Sequence, residues 1–152
     1  LEGGHQQVEV VRALTGQGVP VCGHLGLLPQ SVHKVGGYKV QGREEAQAVR
    51  LIEEACALEA AGIDLLVLEC IPAALAATVA QKLAVPVIGI GAGVDCDGQV
   101  LVLQDMLGIT PGRRPSFSHD FMVDADSISA AVGAYVEAVK SAAFPTLKHS
   151  FE

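Results

Sequence analysis

The chain has 152 residues, half of them hydrophobic and only 18% charged, with a formal net charge of −7 and a mean hydropathy of +0.40. That length is enough for one core and too short for two, so residues 1–152 are expected to form a single domain. An acidic chain with ten Lys and Arg in no stripe would repel a phosphate backbone, which counts against nucleic acid as a partner.

Residues 1–4 read as the end of a strand and its turn, followed by a helix over about 6–14 with Val10, Val11 and Leu14 on one side. Residues 19–23, VPVCG, form a short strand that starts on proline and runs into His24. A long connection spans 25–43, and loops of that length in compact domains are usually functional. Residues 44–61 are a helix with Ala48, Val49, Ile52, Ala55 and Cys56 as its apolar stripe, closed by Gly62.

Four consecutive apolar residues, Leu65 to Leu68, then run straight into Glu69. A run of that kind between a glycine turn and a proline reads as a buried parallel strand. Pro72 fits the first turn of the next helix, over about 72–83, with Ala76, Val79, Ala80 and Leu83 as its buried side. Residues 85–89, VPVIG, echo 19–23, as a βα unit used more than once would. Beyond a glycine-containing loop, residues 100–107 suit either a short helix or a strand, with the flanking Gly98 and Gly108 favouring the helix, and a candidate strand follows around 116–118. The last helix has Asp126 as N-cap and Ile128, Ala131, Val132, Tyr135, Val136 and Val139 on one face. Alternation of this kind means a parallel α/β sheet, either doubly wound or part of a (β/α)₈ barrel.

The apolar stretch over 55–94 is broken by Glu59, Asp64, Glu69, Pro72, Lys82 and Pro86, so it is not read as a membrane span. Cys22, Cys56, Cys70 and Cys96 form no C-x-x-C pair and read as buried thiols in a reducing, cytoplasmic compartment. No leader for export is read at the start. The first residue is Leu rather than Met, so the true start is expected upstream.

Glu2, His24 and Glu69 fall at the carboxyl ends of successive predicted strands. In a parallel sheet those ends share one face, so the three are expected to converge. Carboxylates beside an imidazole suit proton abstraction next to a carbonyl, with a divalent cation as electron sink. Simpler roles compete: Glu69 could cap the helix after it, and His24 could bond a local backbone group. Gly89-Ile90-Gly91-Ala92-Gly93 lacks the residues of a phosphate loop and reads as a crowded turn, and residues 95–98 do not complete a calcium loop. His5, His33, His119 and His149 have no ligand spacing and read as solvated.

The runs LEGG (1–4), VPVCGHLGLLPQ (19–30), GGYKVQG (36–42), LEAAGIDLLVLECIP (58–72), PVIGIGAG (86–93) and the closing 143–151 closely resemble the ketopantoate hydroxymethyltransferase (3-methyl-2-oxobutanoate hydroxymethyltransferase) family. The likeness spans the whole chain and only the carboxyl-terminal part of the family's usual length. It implies the carboxyl-terminal half of a (β/α)₈ TIM barrel of the phosphoenolpyruvate/pyruvate superfamily. It also implies transfer of a hydroxymethyl group from 5,10-methylenetetrahydrofolate to 3-methyl-2-oxobutanoate, giving 2-dehydropantoate in pantothenate synthesis, with Mg²⁺ bound by the keto acid.

By the same resemblance Glu69 matches the general base, Glu2 the acidic residue associated with the metal, and His24 a histidine lining the keto-acid pocket. Two metal-binding aspartates and a substrate lysine of the family precede Leu1 and have no counterpart. The chain is therefore expected to work as a homo-oligomer that needs an amino-terminal half. The alternative is an inactive half-barrel acting only by association with itself or another chain. A lyase or mutase on a similar barrel is a further reading, against which GGYKVQG and VLECIP speak.

Overall fold

The computed structural model describes residues 1–33 and 36–152. Four parallel strands, β1 (Cys22–Gly26), β2 (Leu65–Glu69), β3 (Val87–Ile90) and β4 (Gly98–Gln99), lie side by side in chain order. A parallel bridge from Glu2 to His24 adds one more position beside β1. Helices α1 (Val8–Thr15), α2 (Glu45–Ala61) and α3 (Ala73–Lys82) join successive positions.

That order decides between the two architectures left open by the sequence. Right-handed crossovers along a sheet whose order never reverses put every helix on one face, whereas a doubly wound sheet requires a reversal. In agreement, α1 packs on α2 and α2 on α3. The result is an arc of a barrel: a parallel sheet with helices outside and an open inner face. Leu25, Leu66, Leu68 and Val87 are buried against the helices, with Leu58, Ala55 and Val79 among the groups that cover them. On the other face His24, Leu65, Val67, Glu69 and Ile88 are only half-buried.

β2 lies where the apolar run put it, but β1 begins three residues later than the predicted 19–23. Pro20 has no N–H to pair, and the Val21 N–H donates to Asp64 Oδ2 (2.8 Å), so the ladder opens at Cys22 opposite Leu65. The Val87 N–H likewise donates to Asp97 Oδ2 (2.8 Å), which gives the V-P-V echo a physical counterpart: each time an Asp from a later connection holds the incoming strand. Asp64→Ala and Asp97→Ala are each expected to cost about 1–2 kcal/mol in denaturant unfolding, the worth of a charge-assisted bond left unmade.

Other expectations shift by small amounts. The buried side of α2 is Leu51, Ala55, Leu58 and Ala61, with Val49 and Cys56 exposed, because the helix packs on two neighbours and the sheet at once. Val10 is exposed, and of the α1 trio only Val11 is fully covered. Pro72 is the N-cap of α3 and not its first helical residue. The short helix α4 (Leu103–Met106) is present, whereas residues 116–118 form a turn and no strand. The last helix, α5 (Ile128–Lys140), is capped by Ser127, whose hydroxyl accepts from Ala130 N, and not by Asp126. Only Cys70 of the four cysteines is buried; Cys22 and Cys56 are exposed. Of the expected loop 25–43, residues 25 and 26 belong to β1, residues 34 and 35 lie outside the described residues, and the described remainder holds a 3₁₀ turn, Pro29–Ser31. No described helix is long and apolar enough to cross a membrane.

A second apolar cluster gathers Leu101, Met106, Tyr135 and Phe144, with Phe117 and Phe121 against it. His149 belongs beside it and corrects the expectation of a solvated residue, being 7% exposed. Its Nδ1 accepts from the Thr146 N–H (3.3 Å), with the Thr146 hydroxyl at 2.9 Å. Burial, then Lys148, then His119 hold this imidazole below its ordinary pKa. The folded chain therefore takes up that proton less readily than the unfolded one, so this contribution to stability is full above about pH 6.5 and is lost as pH falls through the folded pKa. A thermal melt should accordingly drop on acidification through that range, and by less in His149→Gln.

Candidate active site

Glu69 closes β2, and the residue after it has an unusual backbone. Cys70 has φ +50°, a left-handed conformation uncommon outside glycine, and it turns the chain from the strand into α3. Three backbone bonds hold this corner. Leu27 N donates to Glu69 O (2.8 Å), Cys70 N to Ile90 O (2.9 Å), and Gln41 N to Cys70 O (2.8 Å). Gly26, opposite Glu69 in the ladder, has φ +93°, and a Cβ there would stand 2.1 Å from the Glu69 carbonyl oxygen. The carboxylate is thus carried by a backbone pinned from both neighbouring strands and from the 25–43 connection.

The side chains converge. His24 lies within β1 rather than after it, on the inner face, and its ring stands between two carboxylates. Its Nδ1 is 3.5 Å from Glu2 Oε1 and its Nε2 is 3.2 Å from Glu69 Oε2. The inner-face side chains of His24 and Glu69 are 14% and 18% exposed, against 38% for Glu2. Nε2 is buried and, despite its closeness to Glu69, makes no hydrogen bond, because the approach is off the bonding direction. A buried nitrogen left in this state next to a carboxylate is an open place for a polar group of a ligand.

The competing role of Glu69 as a helix cap has no support in the geometry. α3 has no side-chain cap, and its first N–H, from Ala73, donates to Phe151 O (2.9 Å) instead. Cys70 is no nucleophile: burial, and then the Glu69 charge, push its thiol up to about 12. The 89–93 run is the crowded turn the sequence suggested. A Cβ at Gly91 would meet Phe117 at 2.9 Å and one at Gly93 would meet Ala73 at 2.5 Å, leaving no cradle for a phosphate.

Magnesium asks for six oxygens in near-octahedral array. Among the described residues no three His, Cys, Asp or Glu side chains are placed to hold a metal ion. Glu2, with a half-exposed carboxylate at the rim, is a single oxygen donor at most, so the described residues alone do not fit Mg²⁺.

Residues that sequence reasoning passed over are those that hold the site rather than react in it: Gly26, Gln41 and Phe151. Gln41 sits in the GGYKVQG run, which marked the segment without giving it a chemical reason. A cavity of about 280 Å³ lies between β1 and α2, lined by Gly26, Gln41, Gln47 and Arg50 among others, and none of Glu2, His24 and Glu69 lines it.

Comparison with known sequences bears on what such a site serves. The sequence pattern of the family described as ketopantoate hydroxymethyltransferase matches residues 1–147. A relative from Alkalilimnicola ehrlichii named 3-methyl-2-oxobutanoate hydroxymethyltransferase is 62% identical over 151 residues, which is 99% of this chain and 54% of the relative. Proteins of the same name from Marinobacter nauticus and Burkholderia multivorans are 57% and 58% identical, covering 58% and 56% of their own lengths. The chain spans about half the length of the curated relatives it matches.

Proposed function

The chain belongs to the ketopantoate hydroxymethyltransferase family, and we propose that it supplies the acid–base half of an enzyme that carries a hydroxymethyl group from 5,10-methylenetetrahydrofolate to 3-methyl-2-oxobutanoate. The observation that carries this reading is the His24 ring standing between Glu2 and Glu69 at the strand ends of an open parallel sheet.

Glu69 takes the proton from C3 of the keto acid, and the electron pair released there moves toward the neighbouring ketone. C3 then bonds to the methylene carbon of the folate, and both bonds from that carbon to the folate nitrogens break in turn, the two nitrogens taking up the proton removed from C3 and one from water. A water supplies the hydroxyl oxygen, so the products are 2-dehydropantoate and tetrahydrofolate. Glu69 faces the inner side of the sheet 3.2 Å from His24 Nε2, where a bound keto acid would present C3 to its carboxylate. His24 offers Nε2 to an oxygen of the keto acid and so fixes the C3–H bond near the Glu69 oxygen. Mg²⁺, when bound, would stabilise negative charge on the ketone oxygen; Glu2 would give it one ligand, and the rest would come from the keto acid, water and residues outside this chain.

We place the enzyme in the cytoplasm as a homo-oligomer. The exposed free thiols of Cys22 and Cys56 suit a reducing compartment, and the exposed Val102, Leu103, Ile109 and Ile128 suit contact between copies.

One observation favours a second reading, in which this chain does nothing alone and acts only by closing a barrel with another. Leu65, Val67 and Ile88 line the inner face and are only half-covered. The experiment is to measure 2-dehydropantoate formation by this chain with Mg²⁺ and both substrates, alone and mixed with an amino-terminal segment taken from a relative. Product in the mixture supports the enzyme, whether or not the lone chain is active. No product in a mixture that forms a stable complex leaves only the inactive half-barrel.

A further inference from the structure

The closing motif, residues 143–151, takes no part in the chemistry above, yet it builds a cavity of about 220 Å³ against α5 and the 119–121 turn. Phe121, Phe144 and two alanines give this cavity apolar walls, and its titratable lining groups are His119, Lys148 and His149. No Asp or Glu lines it, in a chain whose net charge is −7. Of the two acids next to lining residues in sequence, Asp120 turns to Arg114 (3.0 Å) and to the Met122 N–H (3.0 Å), and Glu137 is exposed and does not line the cavity.

His149 adds an independent sign. It is more than nine-tenths buried, and because its Nδ1 accepts from the Thr146 backbone N–H, the neutral ring carries its proton on Nε2. That N–H has no partner among the described residues. This N–H is not one of the sealed-off polar atoms, which are His24 Nε2 and the Tyr135 hydroxyl, and a donor left open beside a lysine ammonium and a second imidazole suits an anion.

We propose that this cavity binds a small carboxylate with a short apolar tail, its head on His149 Nε2 and the Lys148 ammonium and its tail against the wall that the packed Phe121 and Phe144 rings form together. The volume equals about seven waters at ~30 Å³ each, room for a short branched acid and too little for a folate-sized molecule. The aromatic walls favour an acid with a hydrocarbon tail over inorganic phosphate, which would leave them uncovered.

The test is an NMR titration of the chain at constant pH with 3-methylbutanoate, reading the ring signals of His119, His149 and His24, with inorganic phosphate and 3-methylbutanamide as comparison probes. The expected result is a saturable shift at His149 and His119 by 3-methylbutanoate, with weaker or no response to the other two and His24 unmoved. Lys148→Gln, an exposed change that the fold tolerates, should weaken that binding roughly three- to tenfold, the worth of one partly solvated charge-assisted bond. Phosphate binding as tightly as the acid, a response at His24 alone, or no saturation at millimolar acid would each overturn the proposal.

Discussion

Replacing Glu69 by glutamine is expected to lower turnover of the complemented enzyme by roughly 10²–10⁴-fold, the usual share of a positioned general base. Glutamine has the same shape and fits the same place 3.2 Å from His24, so the fold should persist and the melting temperature should move little. The neighbouring Cys70→Ser serves as the contrast: its thiol stays protonated and should be dispensable for the chemistry. Turnover within a few-fold of normal in Glu69→Gln would mean that another group removes the proton.

A second change should damage fold and site together. Gly26→Ala puts a methyl group 2.1 Å from the Glu69 carbonyl oxygen, on a backbone at φ +93° that alanine resists. The conformational cost alone is about 1–2 kcal/mol. Relief of the clash requires β1 and β2 to part at their carboxyl ends, which breaks the Leu27 N to Glu69 O bond as well. We expect a loss of about 3 kcal/mol in denaturant unfolding. Turnover should fall even below the unfolding midpoint, since the base moves with its strand. A stable, fully active Gly26→Ala chain would show that the close approach of the two strands is not what positions Glu69.

These two residues differ in how far the sequence alone could reveal them. Glu69 was legible because a charged residue at the end of an uninterrupted apolar run has few explanations, and β2 formed over the residues that run marked. The convergence of His24 with Glu2 and Glu69 was legible through its place after a V-P-V-x-G segment, although its strand begins later than proposed. The reason is Asp64, which takes the Val21 N–H from 43 positions away. No local pattern reports such a bond. Gly26 looked like any loop glycine, because its role depends on the carbonyl of Glu69 across the ladder. His149 was read as solvated for the same reason: its cover comes from residues such as Phe144 and His119, assembled only when the chain closes on α5. The sheet order was also out of reach, since alternating strands and helices permit a reversal as readily as an arc. Long-range partners decided each of these points.

The central claim is that Glu69 strips the C3 proton of a keto acid, and the half-reaction without folate tests it most directly. 3-Methyl-2-oxobutanoate in D₂O with Mg²⁺ and the complemented chain should gain deuterium at C3, monitored by proton NMR, and the same sample with Glu69→Gln should gain it no faster than buffer. Undiminished exchange in the glutamine variant would contradict the account.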